Sequence, residues 1–200
     1  MTPAELTLLI GAFLVLVGLI AWERSTGGGR EVALVATLGA AAAAGRVLFA
    51  AIPSAQPVTT ICACAGISLG PRAGAAVGAT AALVSNAFLG QGPWTPWQML
   101  AWGGCGVAGA VAAPLLRRRW PLALACFVLG FAFSGLMDVW EWYSFYPHTR
   151  AALTLQMTRG FSFDAAHAIG NVVIALAVGP ELRRMLDRYA RRSTAEVIWA

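Results

Sequence analysis

Lysine is absent from this chain, and all 14 of its basic residues are arginine, set against 9 acidic ones. A Walker-type phosphate loop needs a lysine behind its glycines. Without one, any uphill work this protein takes part in draws energy from a partner or from an ion gradient. Charge of either sign is scarce too. Charged residues are 12% of the chain, about half of the roughly 25% usual in soluble domains. The stretches Val47 to Pro71, Ala73 to Leu116 and Trp120 to Met137 contain none. Such runs come to about the 20 apolar residues that cross a hydrocarbon core, which excludes a water-soluble fold. Histidine occurs only at positions 148 and 167, with no His-Glu-x-x-His arrangement. The cysteines, Cys62, Cys64, Cys105 and Cys126, lie inside apolar spans with no Cys-x-x-Cys pair. They are expected to be small buried hydrophobes, and neither a metal centre nor a cofactor is expected. Leu6 to Trp22 lacks the preceding basic region and clear cleavage site of a signal peptide, so it is expected to stay as a membrane helix.

What is present is hydrophobic and punctuated. Apolar residues make up 58% of the chain, and the mean hydropathy is +0.69. Glycine, proline and arginine break the sequence into predicted helices near 5–22, 31–51, 56–70, 73–90, 97–116, 121–140 and 163–185. The third is short enough to be tilted or only partly inserted. The arginines cluster at 117–119 and 183–192, directly after hydrophobic spans. That is the positive-inside pattern, so the basic excess is assigned to membrane orientation and not to nucleic acid. Placing both blocks in the cytoplasm puts Arg24, Arg30 and Arg72 inside. It puts Pro53 to Pro57, Gln91 to Pro96 and the N-terminus outside. The expectation is a multi-pass protein of the plasma membrane with a cytoplasmic C-terminus. Its parts would be an N-terminal helix and linker (1–30), a six-helix domain (31–190) and a cytoplasmic tail (191–200).

Two external segments attract attention. Gly90 to Met99 combines a Gly/Pro scaffold with Gln91, Trp94, Trp97 and Gln98, a mixture suited to a largely apolar ligand. An interfacial aromatic belt would use the same tryptophans. The stretch Glu141 to Gly160, with Trp142, Tyr143, Tyr146 and His148, is expected to be the longest loop and to act as a lid or pocket wall. In the last helix Asp164, His167 and Asn171 share one face, with Asp164 expected to hydrogen-bond His167. They would either contact ligand or stitch helices together. Arg46 lies within a span and needs a partner or an aqueous cavity, with Asp138 or Glu141 available. Ala36, Ala40 and Ala44 recur every fourth residue, as do Gly66 and Gly70, then Gly74 and Gly78, with Gly103, Gly106 and Gly109 beyond. Such spacing permits close helix packing, and the alanine stripe offers a docking face as well.

The segments Gly45-Arg46-Val47-Leu48-Phe49, Pro53-Ser54-Ala55-Gln56-Pro57, Gly66 to Gly74, Ser85-Asn86-Ala87-Phe88-Leu89-Gly90-Gln91-Gly92-Pro93-Trp94-Thr95-Pro96-Trp97-Gln98-Met99 and Asp164 to Asn171 together resemble the substrate-binding S components of energy-coupling factor (ECF) transporters. The likeness spans about residues 31 to 190 and is closest to cobalamin-type S components. It implies an all-α, polytopic helical bundle with a six-helix core that binds a vitamin on its external side, here with one extra N-terminal helix. It also implies a complex with a transmembrane coupling protein and two ATPases. An Ala-x-x-x-Ala motif in that family contacts the coupling protein, and Ala36, Ala40 and Ala44 match it, with Arg72 facing the same partner. The expected ligand shell is Gln91, Trp94, Trp97, Gln98, Tyr143, Tyr146 and His148, with Asn86, His167 and Asn171 below. Cobalamin is the favoured vitamin, with riboflavin or another flat vitamin as the alternative. Two readings of other classes are an intramembrane enzyme built on Asp164, His167 and Glu141, and a solitary ion-coupled carrier using Arg46 and Asp138.

Overall fold

The computed structural model describes residues 1–23, 28–52 and 54–198. Arg24 and Pro53 lie outside the described residues. The chain is all-helical, with seven helices and no strand among the described residues: α1 (Pro3–Glu23), α2 (Gly28–Leu48), α3 (Val58–Leu69), α4 (Pro71–Leu89), α5 (Thr95–Val111), α6 (Arg119–Phe145) and α7 (Arg150–Ile198). Three segments are long and apolar enough to cross a membrane, Gly29–Leu48, Arg119–Phe145 and Arg150–Arg192, while Pro3–Gly18 and Val58–Leu69 are shorter apolar helices. This is a membrane protein.

The breaks follow from backbone chemistry. Gly70 takes φ 94° between α3 and α4, its amide donates to the Gly66 carbonyl, and Pro71 opens α4. Proline suits the first turn of a helix, where its missing N–H has no intrahelical partner to lose. Gly90 ends α4 at φ 109° with its amide on the Asn86 carbonyl. Both angles lie in the left-handed region where a Cβ is unfavourable.

Helix α3 is the hub. Its 12 residues rise about 18 Å, too little to cross a hydrocarbon core of about 30 Å. It packs instead against α2, α4, α5, α6 and α7, and Val58, Cys62, Ala63, Cys64 and Ala65 are fully buried. Three glycines let α3, α4 and α5 meet backbone to backbone. A Cβ added at Gly66 would strike the Gly106 carbonyl, and one at Gly106 would strike Gly74. One at Gly74 would come within 2.8 Å of the Gly66 Cα. Burial by apolar contact offers little between helices in lipid, so such close approach supplies the dispersion that holds them. The four cysteines are all buried, as expected.

The segment Glu141 to Gly160 departs from its expectation as a long loop. Helix α6 runs on through Phe145, α7 starts at Arg150, and only 146–149 connects them. The Thr154 and Thr158 hydroxyls donate to carbonyls one turn back, at 3.0 and 2.7 Å. Their polar groups are thereby absorbed into the helix. The predicted helix 163–185 is the middle of a 49-residue α7 of about 74 Å. It is far longer than the bilayer core and projects beyond it. The predicted tail from 191 continues the helix to Ile198.

Tertiary bonds sort the helix ends. Ser68 Oγ donates to the Arg183 carbonyl at 3.5 Å and Tyr189 Oη to the Arg30 carbonyl at 3.3 Å. They gather the end of α3, the start of α2 and the C-terminal half of α7. Arg30, Arg72, Arg117–Arg119 and the arginines of 183–192 therefore share one end. The opposite end holds the end of α2, the start of α3, the turn between α4 and α5, the α6–α7 hairpin and the N-terminus.

Candidate ligand-binding site

Arg46, in the last turn of α2, turns its guanidinium inward. Nε donates to Gln56 Oε1 at 3.0 Å, and Nη1 donates to Ser85 Oγ at 2.7 Å and Asn86 Oδ1 at 2.6 Å. The guanidinium carbon lies 4.8 Å from the centroid of the Trp102 ring, within cation–π range. Nη2 makes no hydrogen bond among the described residues. Nor is there an ion pair from Arg46 to any described carboxylate, including Asp138 and Glu141, the partners the sequence offered.

Asn86 is the junction. With its oxygen held by Arg46, its amide nitrogen donates to Thr95 Oγ1 at 2.9 Å and Gln98 Oε1 at 2.8 Å. Arginine has no acceptor, so the amide can sit only this way round. Thr95 Oγ1 in turn donates to Gln91 Oε1 at 2.9 Å, and Gln91 Nε2 donates to the Leu83 carbonyl at 2.8 Å. The Gly90–Met99 turn is thus wired to Arg46 through side chains. Ser85, Asn86 and Trp102 are all buried, at 0%, 1% and 0% exposure.

Other candidate residues divide. Trp97 points away from this network, with Nε1 donating to Thr7 Oγ1 of α1 at 3.2 Å. Helix α1 therefore takes up the indole assigned to a ligand. Trp94 meets Trp140 of α6 edge-on, with centroids 6.4 Å apart, which joins the two aromatic clusters through a helix instead of a lid. Tyr143 and His148 stack at 4.8 Å, and Tyr143 Oη donates to the Met1 carbonyl at 2.8 Å. With exposed Tyr146 they form an outer group that hydrogen bonds to the N-terminus.

His167 and Asn171 sit below. His167 Nδ1 is 2.9 Å from the Ser54 carbonyl, which can only accept, so Nδ1 carries the hydrogen. Nε2 then accepts from Asn171 Nδ2 at 3.2 Å. The expected Asp164 bond is replaced by Ser54, whose backbone at φ 59° forms part of the α2–α3 link. Phe133 connects this pair to Trp102, with its ring 5.3 Å from His167 and stacked on the indole at 4.3 Å. Asp164 lies instead on the α6–α7 seam. A Cβ at Gly160 would sit 3.2 Å from Asp138 Oδ1 and 3.3 Å from Asp164 Oδ2. Gln156 Nε2 donates across that seam to Glu141 Oε2 at 3.1 Å and to Asp138 Oδ1 at 3.4 Å. No group of three His, Cys, Asp or Glu residues among those described is disposed to hold a metal.

Gln56, Ser85, Trp102, Phe133 and Ser54 were not singled out from sequence. Ser85 next to Asn86 in a charge-free span was the available signal, because polar side chains inside a membrane helix seek partners on other helices. Ala36, Ala40 and Ala44 are exposed along α2, whereas Leu38, Gly39, Ala42 and Ala43 make its buried face. Compared with protein-family models, curated proteins and solved structures, the chain finds no match in any of the three.

Proposed function

We propose that this protein is the membrane-embedded, non-catalytic substrate-binding subunit of an ECF-type importer. It captures a vitamin at its external face and hands it on with a transmembrane coupling protein and two ATPases. The observation that carries the reading is the Arg46 network. A cation is held inside the helix ends by Gln56, Ser85 and Asn86, against an indole, and is joined to a rigid Gly/Pro turn. Inward-facing ionisable groups in membrane helices mark ligand or ion pathways. The arginine-rich end lies opposite, and by the positive-inside rule that end is cytoplasmic and the Arg46 end external, in the plasma membrane. This reading takes the helices as a six-helix core with α1 added, and α3 as its enclosed short member. The exposed Ala36, Ala40 and Ala44 face supports docking, since small residues let a second membrane protein approach closely. Without a lysine the chain has no phosphate loop of its own, which suits energy supplied from a cytoplasmic partner.

Cobalamin is the first vitamin to test and riboflavin the second. The deciding experiment is native mass spectrometry of the purified protein with a thermal-shift screen of vitamins. A retained vitamin, or a shift with one of them, is expected. No bound vitamin and no shift across the set refutes the proposal. Transport in liposomes without any ATPase would favour the solitary carrier, and a reaction lost in His167→Ala would favour the intramembrane enzyme.

A further inference from the structure

We infer that the ligand taken at the external end carries an anionic group, a carboxylate or a phosphate, and that the free edge of the Arg46 guanidinium is its anchor. This rests on the capture reading and narrows its substrate class. Arg46 is the third residue from the end of α2, a position from which a long basic side chain ordinarily snorkels outward to the headgroups. Neighbouring Leu48 does point outward, at 81% exposure. Arg46 instead turns into the helix cluster.

There it is fixed on every side but one. Gln56 holds Nε, Ser85 and Asn86 hold Nη1, and Trp102 lies against the guanidinium. All of these partners are neutral, and no described carboxylate forms an ion pair with Arg46. Nη2 keeps both its hydrogens uncommitted among the described residues. Asn86 cannot swing away to relieve this, because Thr95 and Gln98 hold its other end. Asp138 and Glu141, the partners the sequence offered, instead accept from Gln156 across the α6–α7 seam. A planar donor with one open edge and an unmet charge, immobilised before the ligand arrives, is a preorganised site for an anion. Arg46 is only partly buried, so its open edge lies within reach of a ligand arriving from the helix ends.

The test uses the full chain in nanodiscs of zwitterionic phosphatidylcholine, so that no anionic lipid competes. Binding is measured for paired probes that differ in the anionic group: biotin against biotin amide, pantothenate against panthenol, and flavin mononucleotide against riboflavin. In at least one pair the anion-bearing member is expected to bind about tenfold tighter or more, as charge-assisted contacts do. Whether a carboxylate or a phosphate pair responds names the group. The preference should fall to within about twofold in Arg46→Gln, and Arg46→Lys should keep only part of it, because an ammonium does not reproduce the planar fork. Equal binding of both members throughout, or neutral members binding tighter, overturns the inference while leaving vitamin capture standing. A preference that persists undiminished in Arg46→Gln overturns Arg46 as the anchor. If no probe binds at all, the inference fails, and vitamin capture is then decided by the mass-spectrometric and thermal-shift screen. The comparison of probes on the native protein needs no variant to fold.

Discussion

Gly104 and Gly106 lie two residues apart in the middle of α5 and offer a matched test of what holds the bundle together. A Cβ at Gly104 meets nothing within 4 Å. One at Gly106 runs into the Cα, carbonyl carbon and oxygen of Gly74, all backbone atoms with no rotamer to yield. Both changes to alanine gain the same helix propensity, about 1 kcal/mol, so their difference isolates packing. Overpacking costs about 1–3 kcal/mol. The rigid neighbours here, together with Gly66 pressing the same crossing from α3, point to about 2–3 kcal/mol. That corresponds to roughly a 30- to 160-fold shift in the folded population. The assay is unfolding in mixed micelles by increasing sodium dodecyl sulfate, followed by tryptophan fluorescence and far-ultraviolet circular dichroism. Gly104→Ala should unfold at or above the native midpoint, and Gly106→Ala clearly below it. If the two variants share one midpoint, the glycine crossing of α3, α4 and α5 does not supply the packing energy argued for it.

Asn86→Ala removes the group that joins Arg46 to Thr95 and Gln98. It should cost about 1–3 kcal/mol in the same unfolding assay, whereas Gln91→Ala, at an exposed bond of the turn, should cost little. Trp102→Phe keeps an aromatic face for Arg46 and Phe133 and deletes a buried Nε1 that makes no hydrogen bond among the described residues. Only the cavity left at this fully buried ring should cost stability, about 1–3 kcal/mol, and a loss well beyond about 5 kcal/mol would show that this nitrogen has a partner. Ala40→Leu thickens an exposed face, so thermal stability should hold while uptake with the coupling complex falls. Unchanged uptake would count against docking there. Because all four cysteines are buried, single cysteines at Tyr146→Cys and Arg191→Cys can be labelled alone with an impermeant maleimide. Tyr146→Cys should react from outside intact cells and Arg191→Cys only from the cytoplasmic side, and labelling of both from one side would refute the topology.

Membrane residence, the helix breaks at Gly70–Pro71 and Gly90, and the gathering of arginines followed from the sequence alone. They depend on local quantities: charge per span, the φ that glycine permits and proline imposes, and the side chains that flank a helix. Three matters were decided by tertiary structure. The segment 141–160, rich in functional and aromatic side chains, was expected to be a loop, but its polar groups are satisfied by backbone one turn away and across the α6–α7 seam, so the chain stays helical. Small-residue spacing is identical for an internal crossing and an outward face, and only packing sent Gly66, Gly74 and Gly106 inward and Ala36, Ala40 and Ala44 outward. The partners of Arg46 and His167 come from other helices and from the α2–α3 link, far apart in the chain. No spacing rule could have paired Arg46 with Ser85 and Asn86 or His167 with Ser54, because those bonds exist only once the helix ends are brought together.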